Sequence, residues 1–182
     1  MVTNAGWQPD DPVDATALAW LRERPGTPVD GIGIVTRIWR LAKLFGEDRR
    51  RVLAAENADP ATLDLLSVLR RAGPPYALTT RELADRTRVT AGAISQRLTR
   101  AEDQGLVVRQ RATGSRRVTV TLTDAGHALV ERLVDRVLGR EADLVAALDP
   151  DRRAQLTELL RTLLTDLDAR LDHPPHSGVG SD

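Results

Sequence analysis

Within residues 78–122 the hydrophobic period changes from that of a helix to that of a strand, and this limits the possible folds more than any other feature of the chain. Thr79-x-x-Glu82 is a capping box, which predicts a short helix after Thr79 with Leu83 and Ala84 turned inward. That helix fades by Thr87, and Arg88-Val89 supplies a turn. Thr90 then caps a second helix, Ala91 to Asp103. At about 100° per residue, Ile94, Leu98 and Ala101 fall on one stripe and face a core, while Gly92, Ser95, Gln96, Thr99 and Arg100 fall opposite. Gly105 follows as the residue that ends the helix. After the apolar run Leu106-Val107-Val108 the period becomes two, with Val118, Val120 and Leu122 alternating with Thr119 and Thr121. Gly114 supplies the turn between the two strands. Two short helices and a basic hairpin outline a winged helix-turn-helix, so the expected fold is mainly α with a small β wing.

The outer face of the second helix suits a recognition helix. It is small and polar near its start, where bulk would hold the backbone out of the major groove. Gln96 matches an adenine edge, Ser95 a phosphate or base, and Arg100 a phosphate or guanine; Thr90, Gly92 and Thr99 belong to the same surface. A merely solvated helix face has the same pattern, and the charge distribution weighs against it. Residues 81–117 hold nine arginines and four acids, a local charge of +5, in a chain whose formal net charge is zero. The remainder therefore carries −5. Such asymmetry fits a phosphate-facing module on an acidic body. Arg109, Arg111, Arg116 and Arg117 are placed to lie along the backbone or minor groove of double-stranded DNA.

With these residues in view, the block resembles the MarR family of transcriptional regulators. The family pattern L-T-x-x-E-L-A, a Ser/Thr-capped recognition helix, x-G-L-V-x-R, a wing and V-x-L-T-x-x-G is matched by Leu78-Thr79, Glu82-Leu83-Ala84, Thr90, Gly105-Leu106-Val107, Arg109 and Val120 to Gly126. The likeness runs from about Asp14 to Asp172. It implies a homodimeric, ligand-responsive regulator, most simply a repressor, on a palindromic operator. One departure concerns the wing. The family usually carries Asp-x-Arg there; Arg116 matches the arginine, but Gly114 stands where the aspartate belongs, which implies a looser wing. The chain has no cysteine, which removes disulfides, thiol redox sensing and the peroxide-sensing branch of the family.

The rest of the chain reads as helices. Residues 1–13 are polar and expected to be disordered. A short leading helix spans Asp14 to Arg24 and carries Leu18, Trp20 and Leu21. A long helix capped by Asp30 runs to about Asn57 through Ile34, Ile38, Leu41 and Phe45. Asp59-Pro60 opens a helix to Ala72 that is apolar nearly all round, Thr123-Asp124 opens one to about Leu148, and Asp149-Pro150 opens one to about Leu171. The last carries a leucine stripe from Leu156 to Leu171 that needs a partner, whether in its own chain or in a second subunit. The expected organisation is a single domain over 14–172, with 14–58 and 123–172 as a helical dimerisation region and 59–122 as the DNA-binding lobe. Residues 173–182 form a flexible tail. No segment reaches the ~18 apolar residues of a membrane span, and the N-terminus lacks the pattern of a signal peptide. A cytoplasmic protein is expected, and Lys43 as the sole lysine is the usage of a GC-rich bacterial genome.

A sensor site is suggested by three residues. Asp64 lies between Leu63 and Leu65 in the apolar helix, where a carboxylate needs a partner. Arg97 lies beside the Ile94–Leu98 stripe and points toward the body. Trp20 sits in the leading helix. In the urate-responsive branch of the MarR family, a tryptophan, an aspartate and an arginine of these three elements form the ligand site. The resemblance therefore implies an aromatic anion such as urate, or an antibiotic-like compound, at Trp20, Asp64 and Arg97. A plain Asp64–Arg97 salt bridge with Trp20 as packing fits the same residues. A constitutive repressor without a ligand and a winged-helix protein-interaction module are the alternatives in function. An enzyme is not expected: no nucleophile–base pair, phosphate loop or metal spacing is present, and no cofactor or metal is implied. His127 is a lone helix residue expected at the surface or a cap, and His173 and His176 flank two prolines in the tail.

Overall fold

The computed structural model describes residues 7–111 and 117–171. It forms helices and one small sheet, and the chain divides into two compact units at Arg49 and Arg50. In the first unit, α1 (Pro12–Glu23) opens two residues earlier than expected. Asp11 is its cap, with Oδ1 accepting from the N–H groups of Val13 (2.8 Å) and Asp14 (3.2 Å), and Pro12 fills the first turn, where its missing N–H costs nothing. The expected disorder through residue 13 therefore does not extend to this cap: Gln8 N–H donates to Asp14 Oδ2 at 3.0 Å. Residues 1–6 and 172–182, also expected to be mobile, lie outside the described residues. Arg37 on α2 (Ile32–Ala55) reaches Asp14 at 2.9 Å and Asp11 at 3.0 Å. The Gln8 N–H and then the Arg37 guanidinium hold the Asp14 carboxyl below its ordinary value. The start of α2 falls later than an Asp30 cap implies; the Gly31 carbonyl accepts from Val35 N–H at 2.9 Å.

The second unit holds the core. Asp59 caps α3 (Pro60–Arg71) as the Asp-Pro signal predicts, accepting from Thr62 N–H at 2.7 Å. Asp149 does the same for α7 (Pro150–Arg170) through Arg152 N–H at 2.8 Å. The capping box of α4 (Thr80–Thr87) has both arms: Glu82 N–H donates to Thr79 Oγ1 at 3.2 Å, and Thr79 N–H donates to Glu82 Oε2 at 2.8 Å. Leu65, Leu66 and Leu69 of α3 pack with Leu83 of α4 and with Ile94 and Leu98 of α5 (Ala91–Asp103). Each such leucine contributes about 1.5–3 kcal/mol of burial. A second cluster joins Leu53 of α2 and Leu63 of α3 to Leu133 and Val137 of α6 (Asp124–Leu144). α6 ends short of the expected Leu148, with Val145 as its C-cap.

The sheet contains one strand that the sequence pattern did not announce. Besides β2 (Val107–Arg111) and β3 (Val118–Leu122), Ala77–Thr79 forms β1, and the order is β1-β3-β2, antiparallel throughout. Leu78 faces Val120, and Arg109 also pairs with Val120 from the other side. β1 is only three residues long, too short for a period to be read, and it exists because β3 offers an edge. Thr79 closes the strand and caps α4 at once.

Candidate nucleic-acid interface

α5 is positioned from both ends. Thr90 accepts from Ala93 N–H at 3.2 Å at its start. At its finish Gly105 has φ +69°, a left-handed conformation that suits glycine, and a pair of reversed bonds closes the helix. Leu106 N–H donates to Ala101 O at 2.9 Å and Gly105 N–H to Glu102 O at 2.8 Å, the Schellman arrangement. Before α5, Arg88 ends α4 with φ 52° and so makes the turn between the helices.

The two faces of α5 separate as predicted. Ile94, Leu98 and Ala101 are buried, while Gly92, Ser95, Gln96, Thr99 and Arg100 are exposed. A Cβ added at Gly92 would meet nothing within 4 Å. The chain's own packing thus makes no demand for a glycine there.

The arginines of this surface differ in exposure. Arg111, at the end of β2, is exposed, as is Arg117 just before β3. Arg116 and Gly114, the residues on which the expected looseness of the wing rests, lie outside the described residues. Arg109, expected to lie along DNA, packs against the last turn of α5. Its Nε donates to Glu102 Oε2 at 2.7 Å, its Nη2 closes on the same oxygen, and its backbone N–H donates to Glu102 Oε1 at 3.2 Å. Its Nη2 also reaches Thr99 Oγ1 at 3.4 Å. The Arg109 guanidinium and N–H hold the Glu102 carboxyl below its ordinary value. The reversal at Gly105 explains the contact, because it returns β2 alongside the last turn of α5. Arg100, the other expected phosphate ligand, donates to Asp59 Oδ2 at 3.1 Å. Partial burial pushes the Asp59 carboxyl upward, but the Thr62 bonds and Arg100 outweigh it and leave the group below its ordinary value.

Of the three expected sensor residues, two meet within the second unit. Arg97 Nη1 lies 3.4 Å from Asp64 Oδ2, with side chains only 22% and 13% exposed. Trp20 belongs to α1 of the first unit, where it is half exposed. His127 is neither a cap nor a free surface residue: its ring meets the Tyr76 ring edge-on at 4.5 Å, and Arg70 stands 5.1 Å above the same tyrosine. His173 and His176 lie outside the described residues. Among the described residues no cluster of three or more His, Cys, Asp or Glu side chains is placed to hold a metal ion.

Residue 126 shows what sequence reasoning missed. Gly126 was legible as part of a pattern, but its cause is a backbone carbonyl. A Cβ there would lie 2.1 Å from Leu106 O. Around it Thr123 N–H donates to Leu106 O at 3.1 Å and Thr123 Oγ1 to Gly105 O at 2.7 Å. This clasp joins the exit of α5 to the entrance of α6.

Residues 59–118 match the model of the MarR family. The match spans about a third of the chain, and it makes this block similar to the MarR family. The MarR-like chain is 28% identical over 142 residues to the HTH-type transcriptional regulator PecS of Dickeya dadantii, which covers 78% of this chain and 86% of PecS. A mutant MarR from E. coli, solved in complex with operator DNA, superposes with a TM-score of 0.58 at 26% identity, over 74% of this chain and 97% of that one. NadR, solved in complex with 4-hydroxyphenylacetate, gives a TM-score of 0.55 at 25% identity, over 71% and 91% of the two chains. The MarR family and these relatives are transcription regulators, not enzymes. No helix among the described residues is long and apolar enough to cross a membrane.

Proposed function

We propose that the protein is a homodimeric transcriptional regulator that binds a near-palindromic double-stranded operator through α5 and the wing, represses, and is released by a small planar aromatic anion bound at Arg97. The reading is carried by one observation: Arg97 leaves the exposed surface of α5 and turns inward to Asp64 of α3. An anion that takes Arg97 breaks this pair and repels Asp64, and it does so at the base of the helix whose other face carries Gly92, Ser95 and Gln96. Two half-sites about one helical turn apart, roughly 34 Å, require both copies of α5 to be correctly spaced. A displaced α5 then shifts the population toward a form that does not fit DNA. The MarR complex with operator DNA and the NadR complex with an aromatic carboxylate support both halves of the proposal.

Dimerisation is supported by uncovered apolar surface. α7 buries none of its side chains, with Leu159 62% exposed, and Trp39 on α2 is 72% exposed. The test is fluorescence anisotropy with DNA upstream of the protein's own gene, titrated with urate and with 4-hydroxyphenylacetate. Loss of a charge-assisted hydrogen bond of ~1.5–3 kcal/mol raises the releasing concentration of the Arg97→Ala variant by about 10- to 100-fold. Release of the variant and the wild type at one concentration refutes the site. The closed Asp64–Arg97 pair also suits a constitutive repressor, for which neither anion changes DNA affinity or produces heat on titration.

A further inference from the structure

The outer face of α5 offers one full cation, Arg100, and that cation is already taken. Its partner is Asp59, which lies outside α5 and leads α3. One carboxylate oxygen caps the helix through Thr62 N–H at 2.7 Å; the other receives Arg100 at 3.1 Å. Both side chains are about half exposed, so the pair adds little to stability. The cap does not require the charge either, since asparagine caps as well as aspartate. A charged aspartate at this position therefore has no structural necessity behind it.

We infer that Asp59 acts as a built-in phosphate mimic: it occupies Arg100 in the free protein, and a DNA phosphate must displace it. The geometry matches this exchange. A carboxylate oxygen and a phosphate oxygen make the same charge-assisted bond to a guanidinium. The exposed pair lies on the same face as Ser95, Gln96 and Thr99, so the Arg100 head can leave Asp59 without disturbing Ile94 or Leu98 beneath it. The consequence is a device that lowers sequence-independent affinity. Non-specific binding is almost wholly phosphate neutralisation. One arginine that must first be released from its own carboxylate contributes less to it than a free one. Sites that also satisfy Ser95 and Gln96 recover the difference through base contacts. Asp59 thus favours discrimination over tightness.

The inference rests on the DNA-binding reading, and the experiment separates the two. Full-length wild type, Asp59→Asn, Arg100→Ala and the double variant are titrated against a mixed-sequence duplex between 50 and 200 mM salt. Circular dichroism melts check that the asparagine cap holds. Asp59→Asn is expected to bind more tightly at low salt. Its log–log salt slope should steepen by up to about 0.9, so that its affinity falls by up to about 3.5-fold more than that of wild type across this range. In the Arg100→Ala background the asparagine should change neither affinity nor slope. An unchanged or weakened Asp59→Asn variant overturns the inference and leaves the pair as a positioning brace for α5. The same gain in the Arg100→Ala background also overturns it, because the effect is then removal of a like charge at a distance. Failure of the wild type to bind any duplex in a salt-dependent way overturns the DNA-binding reading itself, and the inference with it.

Discussion

Substituting Gly126 by alanine should destabilise the protein, although the same change in most helices stabilises. The added Cβ would lie 2.1 Å from the Leu106 carbonyl oxygen, where ordinary van der Waals contact begins at 3.4 Å, so more than 1 Å of movement is required. Leu122 Cδ2 at 3.2 Å narrows the escape on another side. The obstructing atom is backbone and is itself held by Thr123 N–H at 3.1 Å. Overpacking of a tight site costs ~1–3 kcal/mol, and loosening the two Thr123 bonds adds ~0.5–1.5 kcal/mol each. Alanine returns ~1 kcal/mol through helix propensity. The net loss is about 1–5 kcal/mol, and at 2–4 °C per kcal/mol for a chain of this size the midpoint should fall by ~2–20 °C. Gly139 provides the control in the same helix: nothing lies within 4 Å of its added Cβ, so Gly139→Ala should hold or raise the midpoint. Thermal melts at equal protein concentration measure both, because any self-association makes the midpoint concentration-dependent. If Gly126→Ala melts at or above the wild-type temperature, the Leu106–Gly126 approach does not constrain the junction and the reasoning fails.

Two other outcomes follow from the structure. Glu102 has its carboxyl lowered by Arg109, so its contribution is complete above the ordinary glutamate value and fades as pH falls through the lower folded value. Urea midpoints of wild type and Glu102→Gln should therefore differ at neutral pH and converge on acidification; a constant gap would show that the ion pair is not the source. Trp39→Glu and Leu160→Glu each place a charge on an exposed apolar surface. Each should weaken self-association by about 30-fold or more if that surface pairs two copies, since anchoring residues contribute ~2 kcal/mol or more. Sedimentation at several concentrations reads this, and unchanged association in both variants would place the pairing elsewhere.

What the sequence disclosed was local. The caps at Asp59-Pro60, Asp149-Pro150, Thr79/Glu82 and Thr90 each involve groups a few residues apart, and each bond is present. The inward stripe of α5 was legible for the same reason, as one helix sets its own period. Contacts between elements were not. β1 depends on a partner more than forty residues away, Ala77 with Thr121. The polar setting of Arg100 and Arg109 in the sequence points to phosphate contacts and gives no sign of their carboxylate partners, because Asp59 and Glu102 lie opposite them only once α3 and β2 are packed. Asp64 is the intermediate case: an apolar neighbourhood signals that a carboxylate needs a cation, and Arg97 stands within 3.4 Å. Trp20 belongs to the other compact unit.

These charge pairs matter because of how α5 is held. Burial of Ile94 and Leu98 contributes roughly 3–6 kcal/mol and fixes the depth of the helix in the second unit. It fixes rotation about the helix axis less well, since apolar contact is non-directional. Direction can come from the bond of Arg97 to Asp64 on the neighbouring helix, at 3.4 Å and largely shielded from solvent. An exposed pair such as Arg100–Asp59 contributes ~0–1 kcal/mol, and the largely shielded Arg97 pair more. The terms that orient α5 are thus weaker than the term that seats it. Under the proposed function, an anion that takes Arg97 would turn the recognition surface while the leucine core stays closed, and this ordering of energies would let a small ligand change DNA affinity without unfolding the lobe.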